Sequence, residues 1–401
     1  MRKWVTSLWN NIPSVIVMVL SIVHSSVLSA QEYLPQWKEG YLDIHAIATG
    51  QGEGTFFMMP DGTRMVIDCG DMSEGWSKTH YPDAGKTPGE WTAHYIKHFS
   101  APLPHPDKVD YFLLSHFHSD HISKKNGHGY FDLIKGIRFD KLIDRGWPDY
   151  DFPSYEKNCK SCAALEDYIA SVRKQVEDGA AAEQFEVGSR KQFSLQYSPG
   201  KYDFEVYNIA ANGRMHAGKG KKTVLMLPEN IPAGEYDENV FSCALTMRYG
   251  KFKYYHGGDL SGTTDSQKDK RPRDHETQIA PLVGPVTAMK ADHHGYKDST
   301  MPVFLWTLRP DVVIIQCFQK SHPVAVTARR LIDPVYPGRR DLYITGDTSR
   351  GRLGEELWSH FKPHGHVVVR VYENGNSYQV FVLDPHSRDY RVLYKSEVYD
   401  L

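Results

Sequence analysis

Apolar positions along the chain fall into short runs, not long stripes. Tyr41–Ile47, Gly54–Met59 and Met65–Asp68 read as strands, with Pro60-Asp61-Gly62 as the turn between the last two. Val109–Leu114 is a compact apolar run that stops abruptly at a His-rich stretch. Phe241–Tyr249 and Phe252–Tyr255, joined at Gly250-Lys251, predict a hairpin. His366–Tyr372 and Ser377–Leu383 around Asn374-Gly375 predict another, because Asn-Gly supplies the left-handed residues of a tight turn. Val286–Ala291 and Val312–Gln316 are expected as buried strands. Helical patterns occur near Trp91–His98, in Ala163–Val176 before Asp178-Gly179, in Pro302–Leu308 and in Val324–Leu331. Residues 264–276 are charged and read as an exposed loop. No repeat, low-complexity tract or composition shift marks a boundary after residue 40.

The amino terminus has a different pattern. Arg2 and Lys3 precede an apolar stretch, densest from Val15 to Val23 and free of acids, which reaches Val27-Leu28-Ser29-Ala30 before Gln31-Glu32. That core is short of the ~20 residues needed to span a bilayer and has the layout of a cleaved export signal. We expect residues 1–30 to be a signal peptide, 31–40 a linker, and the mature protein to be periplasmic or extracellular, with no stable membrane span. Export permits disulfides. The five Cys are too few for a disulfide scaffold. Cys159 and Cys162, in Cys-Lys-Ser-Cys, read as a local disulfide, a redox pair or two free thiols. Cys69, Cys243 and Cys317 sit in apolar surroundings and read as small buried hydrophobes.

Composition narrows the function classes. With 40% hydrophobic and 24% charged residues in 401, the chain is neither disordered nor a polytopic membrane protein. Lys plus Arg number 47 and Asp plus Glu 49, a formal charge of -2, so charge does not indicate nucleic acid as an obligate partner. The basic runs Lys219–Lys222 and Lys268–Arg273 read as solvated loops. The 20 His direct attention to metal chemistry.

Ser115-His116-Phe117-His118-Ser119-Asp120-His121 follows the Val109–Leu114 run directly. In extended chain, residues two apart point the same way, so His116 and His118 can grip one ion together. Asp120 and His121 lie beyond, where a turning loop can aim them at a second ion. Imidazole plus carboxylate suits zinc, with manganese or iron as alternatives. Packing alone does not explain such a density of polar groups at a strand end.

This His-x-His-x-Asp-His stretch resembles the signature of the metallo-β-lactamase fold superfamily. Thr49-Gly50-Gln51-Gly52-Glu53 followed by Met65–Gly70 is similar to the opening hairpins of one branch, the hydrolase domain of DNA-uptake channel proteins (the ComEC/Rec2 type). His256-Gly257-Gly258-Asp259, Ala291-Asp292-His293-His294-Gly295 and Ser321-His322-Pro323 then match later elements in order. The resemblance implies an α+β fold: a four-layer αββα sandwich of two mostly antiparallel sheets with outer helices. It would span residues 41–390, with an insertion at about 140–235 and a C-terminal tail at 391–401. It also implies roles. His116 and His118 would bind a first metal, Asp120 and His121 a second, and Asp259 would bridge both with its two oxygens. His294 would complete the second site and His293 would contact substrate or leaving group. His322 either faces the site or is a loop His. Asp68 would orient the His loop. Many relatives carry a further first-site His; the candidates here, His128 and His216, sit in unconvincing settings.

Two Zn2+ are therefore expected, one being the alternative. Metal-bound water loses a proton near neutral pH and needs no Ser or Cys nucleophile. The leading expectation is an exported metal-dependent hydrolase acting on a phosphoester or phosphodiester. Hydrolysis of a cyclic amide, lactone or thioester is the second reading. A non-catalytic metal-binding envelope protein is the third.

Overall fold

Alternation along the strands decides the architecture. In β1 (Leu42–Ala46), Leu42, Ile44 and Ala46 share one face while Asp43 and His45 take the other. In β2 (Thr55–Met58), Phe57 joins the first face and Phe56 and Met58 the second. Both faces are buried, so the sheet needs cover on each side. The computed structural model describes residues 31–71, 81–124, 127–150, 162–227, 237–262, 274–316, 321–333 and 335–401. The expected signal peptide, Cys159, Cys317, Lys268–Arg273 and most of the 264–276 loop lie outside them.

The first sheet continues through β3 (Arg64–Ile67), β4 (Lys108–Leu113), β5 (Arg138–Asp144) and β6 (Ala181–Gln184). The second contains β7 (Phe204–Ala211), β8 (Arg214–His216), β9 (Thr223–Leu225), β10 (Ala244–Tyr249), β11 (Phe252–His256), β12 (Ala288–Lys290), β13 (Val312–Ile315) and β14 (Asp341–Ile344). The chain then returns to the first with β15 (His366–Val371), β16 (Ser377–Leu383), β17 (Val392–Lys395) and β18 (Tyr399–Asp400). The orders are β17-β16-β15-β1-β2-β3-β4-β5-β6, with β18 on β16, and β14-β13-β12-β11-β10-β7-β8-β9. Each sheet is mixed: β3 to β6 and β11 to β14 run parallel, the rest antiparallel.

Between the sheets lies one apolar core, where Ile44, Phe57, Ile67 and Leu113 meet Leu245, Met247, Tyr254 and Ile314. Helices Pro88–Ser100, Tyr130–Gly136 and Leu165–Glu177 cover the outer face of the first sheet; Glu276–Val283, Pro302–Leu308, Ala325–Ile332 and Arg350–Trp358 cover that of the second. The result is the αββα sandwich of the metallo-β-lactamase fold. Helix Pro88–Ser100 starts from a capping box. Glu90 N–H donates to Thr87 Oγ1 at 3.3 Å, and Thr87 N–H to Glu90 Oε2 at 2.9 Å. Both expected hairpins form, with Tyr249 opposite Phe252 and Val371 opposite Tyr378. Among the described residues no helix is long and apolar enough to cross a membrane.

Three segments carry more structure than the pattern of apolar residues indicates. The stretch 140–235, expected as an insertion within the domain, supplies β6 to β9 and most of β5. The tail 391–401 carries β17 and β18 on β16. The 31–40 linker is packed, with Trp37 buried and Arg370 Nη1 donating to Pro35 O at 2.6 Å. Charges interrupt the apolar pattern in such pieces, as in Arg138–Asp144. Their strand state comes from pairing with a neighbour already in place.

Candidate metal centre

Parallel strands within a sheet release their chains at one end. The C-terminal ends of β3, β4, β11, β12 and β13 lead to Asp68, the 115–121 loop, Asp259, His293-His294 and Gln316 respectively. Backbone contacts set how these loops meet. Cys69 N–H donates to His121 O at 3.0 Å, Gly70 N–H to Glu53 O at 2.9 Å, and Glu53 N–H to Asp120 O at 2.9 Å. A Cβ on Gly70 would lie 1.5 Å from Asp120 O, so only glycine lets the loops pass this closely.

Asp68 adopts a left-handed φ of 60° just after β3. Its Oδ1 accepts Ser115 N–H at 2.7 Å, and its Oδ2 accepts Ser115 Oγ–H at 2.7 Å and His121 Nδ1–H at 2.8 Å. The proton on Nδ1 leaves the Nε2 lone pair of His121 facing inward. His294 is set likewise: Nδ1–H donates to Gln316 O at 3.0 Å. His293 and His294 hold left-handed φ values of 45° and 50°, a strained pair that turns the two rings to different surroundings.

Three segments then converge. Asp120 Oδ2 lies 3.0 Å from His294 Nε2 and 3.8 Å from His121 Nε2. Asp259 Oδ2 lies 3.4 Å from both His121 Nε2 and His294 Nε2, and 4.0 Å from His116 Nε2. All five residues are buried. Donors ~2.0–2.1 Å from a tetrahedral cation stand ~3.3–3.4 Å apart, so these separations suit a shared ion. Nε2 of His116 and of His121 is buried without a hydrogen-bond partner, as expected of atoms that face a cation. His118 is partly exposed, with Nε2 3.8 Å from Asp237 Oδ1.

The electrostatics also call for positive charge. Burial opposes a charged His294, but Asp259 and Asp120 raise its pKa to about 9. His121 is likewise raised by Asp259, Asp68 and Asp120 against its burial. A cation would supply the charge these carboxylates draw in.

Two residues behind the cluster escaped the sequence reading as functional. Lys290, at the end of β12, is fully buried; its Nζ lies 2.8 Å from Glu53 Oε2 and 3.3 Å from Asp259 Oδ1, and donates to Gly258 O. Asp259 therefore turns one oxygen to Lys290 and the other to the imidazoles. Burial pushes the Glu53 carboxyl up, but Lys290 and His256 outweigh it and hold the pKa at about 2. His256 Nε2 lies 3.1 Å from Glu53 Oε1. A lysine in a buried strand signals a buried carboxylate partner, the one clue the sequence offered. By distance alone, one atom each from Glu53, His121, Asp259 and His294 lie within 4.8 Å of one another, as do atoms from Glu53, Asp68 and His256.

The remaining candidates fall outside the cluster. His293 turns aside: Nδ1 is 2.8 Å from Asp298 Oδ1, and Nε2 is 3.2 Å from Asn239 Nδ2. Its pKa, lowered by burial, is raised on balance by Asp298. The His322 ring stacks on Tyr296 at 4.5 Å and lies 5.6 Å from the His293 ring. His128 pairs with Asp132 at 2.9 Å, and His216 lies between the Tyr207 hydroxyl and Gly220 O, so neither joins the cluster. Cys162 is disulfide-bonded, while Cys69 and Cys243 are free and buried.

No protein-family model and no curated protein matches the chain. Similar solved structures include CmlA, a diiron beta-hydroxylase from Streptomyces venezuelae, at 14% identity over 72% of this chain and 47% of that one, with a TM-score of 0.35. The chain thus spans about half the length of that protein. Another is the metallo-beta-lactamase fold protein YhfI from Bacillus subtilis, at 13% identity over 75% and 96%, TM-score 0.36. A third is unliganded yeast PDE1, at 9% identity over 82% and 99%, TM-score 0.36. Likenesses this distant say nothing about substrate.

Proposed function

We propose that this protein is a metal-dependent hydrolase of the metallo-β-lactamase superfamily, resembling the ComEC/Rec2-type branch and acting on phosphoester or phosphodiester bonds. The carrying observation is the 3.0–3.8 Å spacing of the Asp120 and Asp259 Oδ2 atoms from Nε2 of His121 and His294, drawn from three separate loops. In this reading Asp120, His121 and His294 would hold one cation and His116 and His118 another, with Asp259 available to both. Zinc suits these donors, with manganese or iron as alternatives. Bound there, divalent cations would acidify water and stabilise negative charge on the reacting oxygens.

The chain's own residues do the rest. Asp68 and the Gln316 carbonyl fix two imidazoles in the tautomer that presents Nε2. Lys290 pins Asp259, and Glu53 keeps Lys290 in place. Asp298 and Asn239 hold His293 at the edge of the cluster, with Nδ1–H on the carboxylate and Nε2 accepting from the amide, so a substrate or leaving group would meet His293 by taking the place of Asn239. The phosphoester preference rests on the resemblance to the DNA-uptake branch and not on the side chains of the site, whose chemistry would serve a lactone as well. Export to a periplasmic or extracellular space is part of the proposal; the first thirty residues and the disulfide at Cys162 support it.

The test is hydrolysis of a phosphodiester, a β-lactam and a lactone reporter before and after chelation. Phosphodiester turnover should vanish with the chelator, return with Zn2+ or Mn2+, and be absent in Asp120→Ala. Undiminished activity in metal-free protein would end the reading; turnover of the carbonyl substrates alone would move it to their class.

A further inference from the structure

The two halves of the cluster are unequally furnished. Asp120, His121, His294 and Asp259 surround a deep position. The shallow one has His116, His118 and the shared Asp259, one donor fewer. His118 Nε2 lies beyond 4 Å of every other acid among the described residues, but 3.8 Å from Asp237 Oδ1. That is too long for an N–H···O hydrogen bond. It equals the separation of His121 and Asp120 in the deep half.

The juxtaposition is built, not a chance meeting of surface groups. Asp237 caps the short 3-10 segment Glu238–Phe241, and its Oδ1 accepts Asn239 N–H at 3.1 Å, which fixes the carboxylate's direction. The next residue, Glu238, is buried and clamped. Its Oε1 accepts Arg145 Nε–H at 2.7 Å and its Oε2 Arg145 Nη2–H at 2.6 Å. The same Oε1 accepts Phe117 N–H at 3.0 Å. Arg145 itself lies over the Phe117 and Phe241 rings, 4.4 and 4.9 Å from their centroids. One carboxylate thus ties the residue before His118 to the residue after Asp237, and holds the two side chains opposite each other. Asp237 is 39% exposed and His118 13%, which places this donor pair on the open side of the cluster.

We propose that Asp237 is a ligand of the shallow metal position, completing a His116, His118, Asp237 and Asp259 donor set. The inference rests on the metallohydrolase reading. It has a chemical consequence: two carboxylates and two imidazoles form a harder site than one richer in imidazole, so this position accepts Mn2+ more readily than a His-rich one would.

The experiment titrates metal-free wild type, Asp237→Asn, Asp237→His and His121→Ala with Zn2+ and with Mn2+ against a chromogenic chelator, with bound metal counted by mass spectrometry. Wild type should bind two equivalents. Asp237→Asn should keep the tight one and bind the other at least ~10-fold more weakly, while His121→Ala weakens the tight one. Asp237→His should restore Zn2+ at the shallow position and leave Mn2+ weak. Wild-type affinity for both equivalents in Asp237→Asn overturns the proposal. So does a wild type with a single equivalent that His121→Ala removes and Asp237→Asn does not. A wild type that binds neither metal overturns the metallohydrolase reading as well, so the two failures are distinguishable.

Discussion

Two buried cation–carboxylate pairs do opposite jobs. Arg370 and Asp43 join β15 to β1 under helix Pro88–Ser100. Arg370 Nε donates to Asp43 Oδ1 at 2.8 Å and Nη2 to Oδ2 at 2.6 Å, so one guanidinium takes both carboxylate oxygens, with Nη1 left for Pro35 O and His45 Nε2 3.8 Å from Oδ2. Lys290 and Glu53 lie at the metal-centre end and are not matched in this way. Lys290 also reaches Asp259, and Glu53 also faces His256. A planar guanidinium matches one carboxylate completely, whereas an ammonium has three donors to distribute. The bidentate pair holds strands in register; the other passes its constraint on to a group that faces the imidazoles.

The largest effect that would break this contrast is on stability. Arg370→Met leaves Asp43 buried and unpaired, and should cost about 3–5 kcal/mol in denaturant unfolding while metal stoichiometry stays unchanged. Metal loss in that variant would show that the two ends are not separate.

A smaller effect follows from acid. Burial pushes Asp43 up but Arg370 more than offsets it, so the folded pKa is about 2 against an ordinary 3.8. A depressed carboxyl contributes its stability above the unfolded pKa and loses it as pH falls through the folded one. The pair should therefore lose about 2 kcal/mol between about pH 4 and pH 2. Subtracting the Asp43→Asn profile from that of wild type should isolate the loss, and a flat difference would refute it.

Glu53→Gln sharpens the comparison from the other side. With Glu53 neutral, Lys290 leans on Asp259 and competes with a cation for it. Divalent-metal affinity should fall by at least ~10-fold, measured by chelator competition. Unchanged affinity would make Glu53 a purely structural partner. The smallest effect belongs to His128→Ala and His216→Ala, expected to leave metal affinity at the wild-type value.

Much of this was legible in the chain. The 115–121 stretch announces itself because three imidazoles and a carboxylate within seven residues at a strand end are hard to explain by packing, a polar surface loop being the bland alternative. Asp259 and His294 are ordinary turn residues alone and gain meaning only from their order along the chain. Glu53, Asp237 and Lys290 were not legible as parts of a site. A single charged residue in a strand or loop looks solvated until the fold supplies its partner. The same reason hid β5 and β6: charges or few apolar residues break their pattern, and the strands they pair with are about thirty to forty residues away. The Gln316 carbonyl that sets His294 leaves no side-chain signature at all.

The interlock of Gly70, Glu53 and Asp120 is made entirely of peptide groups, with no room at Gly70 for even a methyl. A socket framed by main chain does not depend on which donors are mounted in it. This crossing would survive exchange of the imidazoles and carboxylates that face inward, provided the side-chain ties of Asp68 to Ser115 and of Glu238 to Phe117 were kept.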